Sequence, residues 1–211
     1  MRPPTSKFKI PTTLDDALSE IRTFWTGPGP FGRGSPALVP RLEGLFGRHM
    51  PTPLAQYLST LLPEEEVALQ RVGNPISFWP ERAITPDPVG YRIDGKGQPI
   101  PEWSRSWLIF ADEGADPVIV DLESATDTEC PVLQAMHGAG EWDFGEVADS
   151  MPQYLLLSAA VHHALTMVPE PTLDGEDRFE LVEPAASWLF PRVRGWAGGY
   201  YEDWASVFSN S

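Results

Sequence analysis

A histidine and three carboxylates fall within the short run HGAGEWDFGE: His137, Glu141, Asp143 and Glu146. Imidazole and carboxylate oxygens together can hold a divalent cation, or share a proton as an acid–base pair. Their spacing matches no metal-site pattern, however, and glycines at 138, 140 and 145 leave the geometry open. The run is therefore read as an acidic loop leading into a helix, with no catalytic, metal or cofactor role expected. His162 and His163 are neighbours on a helical pattern and point about 100° apart, which prevents them from chelating one ion together. GPGPFGRG resembles a phosphate cradle only superficially. Pro28 and Pro30 lack the backbone N–H such a loop needs, and no Gly-Lys-Ser/Thr follows. Asp94-Gly95-Lys96-Gly97 has one carboxylate where a calcium loop needs several. Cys130 has no activating context, and Ser150, between Asp149 and Met151, sits in no nucleophile elbow. No constellation for catalysis is left, and a binding protein is expected.

Charge says where such binding would occur. The net charge of −15 is concentrated: residues 111–183 carry 17 acidic side chains and one basic one, Arg178, while the flanking regions are close to neutral. Such a field repels nucleic acid and anionic lipid and attracts cationic partners. Asp112, Glu113 and Asp116 fall in an expected hairpin turn, and Glu141, Asp143 and Glu146 in the loop after it. These six acids are the expected partner-binding residues together with Trp142, which is an aromatic anchor or, equally, faces the core.

The elements that must carry these residues are legible in outline. Thr13 caps a helix whose apolar face is Leu14, Ala17, Leu18, Ile21 and Trp25. A proline- and glycine-rich connector ends it. A second helix is expected over 37–48, and a third with Thr52 as N-cap and Pro53 at its first position. Five short β-prone runs follow at 76–79, 89–93, 106–111, 117–122 and 131–136. The third and fourth form a hairpin, with Trp107, Ile109 and Val118 at its centre. Ser150 caps a buried helix from Met151 to about Met167, and the aromatic-rich tail beyond it should pack rather than dangle. The expected fold is α+β: N-terminal helices, a mainly antiparallel sheet of about five strands, then a buried helix. The expected divisions are an N-terminal helix and connector (1–36), a core (37–167) and a C-terminal extension (168–211). A single cysteine excludes an intrachain disulfide. The absence of an apolar leader at the N-terminus, and of an apolar run of about 18 residues, points to a cytoplasmic protein with no membrane partner.

Three segments taken together resemble the SUKH superfamily. LFGRHMPTPLAQYLSTLLP is similar to its opening helix, SWLIFADEGADPVIVDLES to its core hairpin, and CPVLQAMHGAGEWDFGEVADSMPQYLLLSA to its next strand, loop and Ser-started helix. The resemblance spans residues 42–165. It departs at PEEEVALQRVGNP, where relatives have a Gly-rich turn. The resemblance implies an α+β fold that binds proteins and has no catalytic set to carry over. Members act as immunity proteins that neutralise cognate bacterial toxins, many of them nucleases; others regulate cell-wall synthesis or contact protein-export components. The reading it implies is an immunity protein covering a basic toxin surface. The alternatives are a regulator or scaffold of envelope synthesis, and a metal-dependent enzyme using the His137–Glu146 loop.

Overall fold

The structure, a computed structural model, describes residues 8–26, 30–137, 142–174 and 179–211. Glu141, residues 27–29 of the connector and Arg178 lie outside them. The fold is α+β, as expected. Three helices, α1 (Leu14–Arg22), α2 (Leu38–Phe46) and α3 (Thr52–Thr60), precede strands β1 (Val67–Leu69), β2 (Ile76–Phe78), β3 (Trp107–Glu113), β4 (Asp116–Asp121), β5 (Val132–Gln134) and β6 (Gly145–Ala148). Helix α4 (Met151–Thr166) follows the sheet. A two-stranded ribbon, β7 (Thr172–Asp174) with β8 (Phe179–Leu181), then leads to α5 (Ala185–Trp196) and α6 (Tyr201–Ala205).

The main sheet is an antiparallel meander in sequence order, β1 to β6. It has six strands where about five were expected, and the membership also differs. The run 89–93 is no strand: Gly90 takes φ 89°, and the Tyr91, Arg92 and Ile93 amides all donate to the Pro88 carbonyl, which closes a tight turn. β1 and β6 stand in its place. β1 lies in the segment that departs from the SUKH pattern, and both are short edge strands with no alternating apolar signal.

Helix starts follow local chemistry. Thr13 Oγ1 accepts from the Asp16 amide at 3.1 Å while the Asp16 carboxylate accepts from the Thr13 amide at 3.1 Å, a reciprocal cap. Ser150 Oγ accepts from the Gln153 amide at the start of α4. At α3 the expected register shifts by one residue, because Pro51 is the N-cap and Thr52 is already helical. The connector meets the other end of α3. The amides of Gly32, Gly34 and Ser35 donate to the carbonyls of Leu61, Leu62 and Leu58, so this segment caps the end of a helix.

One sheet face and the helices enclose the main core. Phe78, Phe110, Val118, Val120 and Val132 come from the strands, and α4 lies against them with twelve buried residues. Trp196, Trp204 and Phe208 are at most 2% exposed in the same core, so the tail packs as expected. Gln153, fully buried in α4, ties the tail down. Its amide nitrogen donates to the Trp196 and Ala197 carbonyls at 2.8 and 3.1 Å, and its oxygen accepts from the Asp149 amide at 2.6 Å. Among the described residues, no helix is long and apolar enough to cross a membrane.

The two histidines of α4 sit at the helix edge, half-buried. Trp25 stacks on His162 at 5.0 Å, and His163 lies 4.6 Å from the Trp188 ring. His162 Nδ1 accepts from the Gln70 amide at 2.9 Å, which joins the end of β1 to α4 and requires Nδ1 to be unprotonated. Burial lowers both histidine pKa values, with His163 adding to the effect on His162 and Arg192 to that on His163. The folded state thus binds fewer protons than the unfolded one. Stability from these groups is complete above the ordinary value of 6.5 and falls as the pH drops below it. Thermal melts are expected to show a falling Tm from pH 6.5 towards 5. His162→Asn, whose Oδ1 can keep the Gln70 bond, should flatten that fall. An unchanged slope in the variant would remove His162 from the account.

Candidate partner-binding surface

The hairpin turn is Gly114-Ala115 alone. Its two residues have φ values of 61° and 81°, the left-handed pair that matches strand twist in a two-residue turn. Asn74 packs so closely that a side chain at Gly114 would collide with it. The alanine at positive φ is supported on both sides. Asp112 Oδ1 accepts from its amide at 3.1 Å, and the Tyr91 hydroxyl donates to its carbonyl at 3.1 Å.

This corrects the expectation for the three hairpin acids, which occupy the paired strand ends beside the turn rather than the turn itself. Asp112, half-buried, also accepts from the Trp79 indole N–H at 2.6 Å. Glu113 is 17% exposed, lies 3.6 Å from the Arg71 guanidinium and accepts from Gln134 at 3.0 Å. Asp116, 25% exposed, accepts from the His137 amide at 2.7 Å and sits 2.6 Å from His137 Nδ1. All three carboxylates have structural duties, and Glu113 is the least available to a partner. His137 is thereby paired with Asp116, a hairpin acid outside the run that suggested a site.

Of the acids expected in the loop before α4, Asp143 lies outside the strands, whereas Glu146 is corrected to β6, where it pairs with Leu133. Asp143 is exposed and makes no ion pair or hydrogen bond among the described residues. Glu146 is exposed and accepts from the Tyr200 hydroxyl at 2.8 Å; the same hydroxyl lies 3.0 Å from Asp149. Burial, and these two carboxylates as acceptors, raise the tyrosine pKa. Among the described residues, no three His, Cys, Asp or Glu side chains converge as metal ligands would.

Trp142 is half-buried, between the two alternatives of anchor and core. It belongs to an aromatic cluster on the sheet face opposite the helices, a feature the sequence reading missed. Trp103 is the hub, 4% exposed, with Tyr91, Trp107, Trp142 and Phe144 at ring-centroid distances of 5.3, 5.3, 5.4 and 6.1 Å. Trp79 extends the cluster through Tyr91, and Ile109 and Ile119 form its buried floor. Trp79, Trp107, Trp142 and Phe144 are each half-buried, so the outer surface of the cluster is available. The signal was present in the sequence as four tryptophans, but only the fold shows that they converge.

Elsewhere the chemistry is quiet. Burial pushes the Cys130 thiol up to about 12, well away from a reactive thiolate. A cleft of about 630 Å³ opens where the N-terminal residues of α1, α3 and α4 meet. Thr12, Thr52, Gln56 and Thr128 offer it hydrogen bonds, and Asp15 and Asp127 are its titratable groups. It sets no nucleophile beside a base. Comparison with protein-family models, curated proteins and solved structures finds no match for this chain.

Proposed function

We propose that this protein is an immunity protein of the SUKH type that binds and neutralises a cognate bacterial toxin in the cytoplasm, through the surface around Trp142, Asp143 and Glu146. The observation that carries the reading is the charge distribution: 17 acids against Arg178 over residues 111–183. A toxin that handles nucleic acid needs a basic cleft, and an acidic inhibitor can occupy it by complementary potential. Asp143 and Glu146 supply exposed charge, and the half-exposed rings supply apolar area. Large aromatic residues bordered by charge are where interface energy concentrates.

Co-expression tests the reading. The chain is produced in bacteria together with a toxin domain encoded in a neighbouring reading frame, and growth is followed after toxin induction. Restored growth and a stable complex on size exclusion are expected. Continued killing with no complex formed would overturn the reading. A complex formed with an envelope-synthesis protein would favour the regulatory alternative.

A further inference from the structure

At several rings outside the aromatic cluster of this sheet face, the partly exposed Trp188, Phe8 and Tyr201 and the buried Trp204, the protein lays its own guanidinium groups over the ring. Arg192 lies 4.3 Å from the Trp188 centroid and 4.8 Å from Phe8, Arg194 lies 4.2 Å from Tyr201, and Arg71 lies 4.7 Å from Trp204. Among the described residues, none covers Trp79, Tyr91, Trp103, Trp107, Trp142 or Phe144. Four of these six rings are half-exposed, and carboxylates stand at their border. Asp112 is bonded to the Trp79 indole, Asp116 starts the strand beside the turn that Tyr91 holds, and Asp143 separates Trp142 from Phe144.

We propose that this face is the anchor site for an arginine side chain of the basic partner, seated on Trp142 and its neighbouring rings with Asp143 beside it. The inference rests on the protein-binding reading above and names the chemistry of its central contact. The ring quadrupole attracts a cation over its face, and tryptophan does so best. A guanidinium is planar and weakly hydrated, so it stacks on a ring at lower desolvation cost than an ammonium, while keeping N–H groups at its edge for a carboxylate. The chain's own Arg192 and Arg194 are seated over the rings of Trp188 and Tyr201 at 4.3 and 4.2 Å.

The test uses the full chain, ¹⁵N-labelled, with its indole N–H signals assigned through Trp107→Phe and Trp142→Phe. A short peptide of alternating glycine and arginine is titrated in, alongside the same peptide with neutral citrulline replacing arginine. The Trp142 and Trp107 indole signals are expected to move and saturate with the arginine peptide, and to stay in place with citrulline. The anchor is overturned if citrulline moves the indoles equally, or if no signal responds. It is also overturned if arginine moves only the backbone amides around Asp143 and Glu146. That last outcome would leave the acidic protein-binding surface standing without an aromatic anchor. A complex with the toxin that survives Trp142→Ala undiminished, while near-ultraviolet dichroism shows the fold intact, would also remove the anchor.

Discussion

Phe110→Ala is expected to destabilise the protein by about 3–5 kcal/mol, enough to threaten the fold of a domain this size. The Phe110 ring is fully buried at the centre of the sheet, 5.8 Å from both Tyr57 and Tyr154 and 6.3 Å from Phe78. Truncation leaves a cavity walled by large rings from the sheet, α3 and α4, none of which can collapse into it easily. Trp107 lies three residues earlier in the same apolar run and looks equally central in the sequence. It is half-exposed on the other face, where Phe144 at 4.6 Å and Trp103 at 5.3 Å are its ring neighbours. Trp107→Ala should therefore cost about 1–2 kcal/mol, because its ring is only partly buried and its loss opens onto solvent rather than leaving a closed cavity. Urea denaturation of the two variants orders them directly. A larger loss for Trp107 would mean that the strand faces are assigned the wrong way round.

Reversing the two exposed acids Asp143 and Glu146 is expected to cost partner affinity about ten- to a hundredfold, chiefly through slower association. Asp143→Lys with Glu146→Lys changes the local field by four charges. The fitting control is Glu64→Lys with Glu66→Lys, an equal change at exposed positions outside the acidic third. Glu65 is left alone because it pairs with Arg82 at 2.7 Å, and its reversal would confuse the comparison. Association of the parent protein should also slow as salt rises past physiological strength, where attraction is screened beyond about 8 Å. Thermal stability should change little in either double variant, since exposed charges contribute little to folding. Kinetic binding curves at two salt concentrations, with the toxin domain as partner, measure all of this. Equal, salt-insensitive binding by both double variants would rule out charge complementarity.

Helices α1 and α4 were legible because each opens on a hydroxyl cap, followed by a 3.6-residue apolar period in α1 and by an apolar run long enough for a buried helix in α4. The β3–β4 hairpin was legible because its strands are long and apolar around an Asp/Gly turn. β1 and β6 were not, since Val-Ala-Leu and Gly-Glu-Val-Ala are too short to carry a pattern, and pairing with a neighbouring strand decides them. The orientation of the acids was hidden for a different reason. Ile109 pairs with Ile119 while Ala111 pairs with Val118, so Phe110 is an extra residue that shifts the side-chain alternation within β3. Without that bulge Glu113 would share a face with Ile109. With it, Asp112 turns to the Trp79 side and Glu113 to Arg71, and nothing in the residue types announces the switch.

The contacts that hold β6 imply an order of folding. Tyr200 bonds to Glu146 across 54 residues, Trp204 donates its indole N–H to the Val147 carbonyl across 57, and Gln153 reaches Trp196 across 43. Closing loops of that length costs entropy before any contact repays it, whereas the β3–β4 hairpin needs only its two-residue turn. The hairpin can therefore form early, whereas β6, although it pairs with the nearby β5, gains its supports at Glu146 and Val147 only when the segment beyond residue 195 docks. Trp142 likewise meets Tyr91 and Trp103 only across long loops, so Asp143 and the aromatic rings become a single surface only once those loops have closed. A nascent or half-folded chain would present its negative charge without its anchor, and would attract basic surfaces without holding any of them.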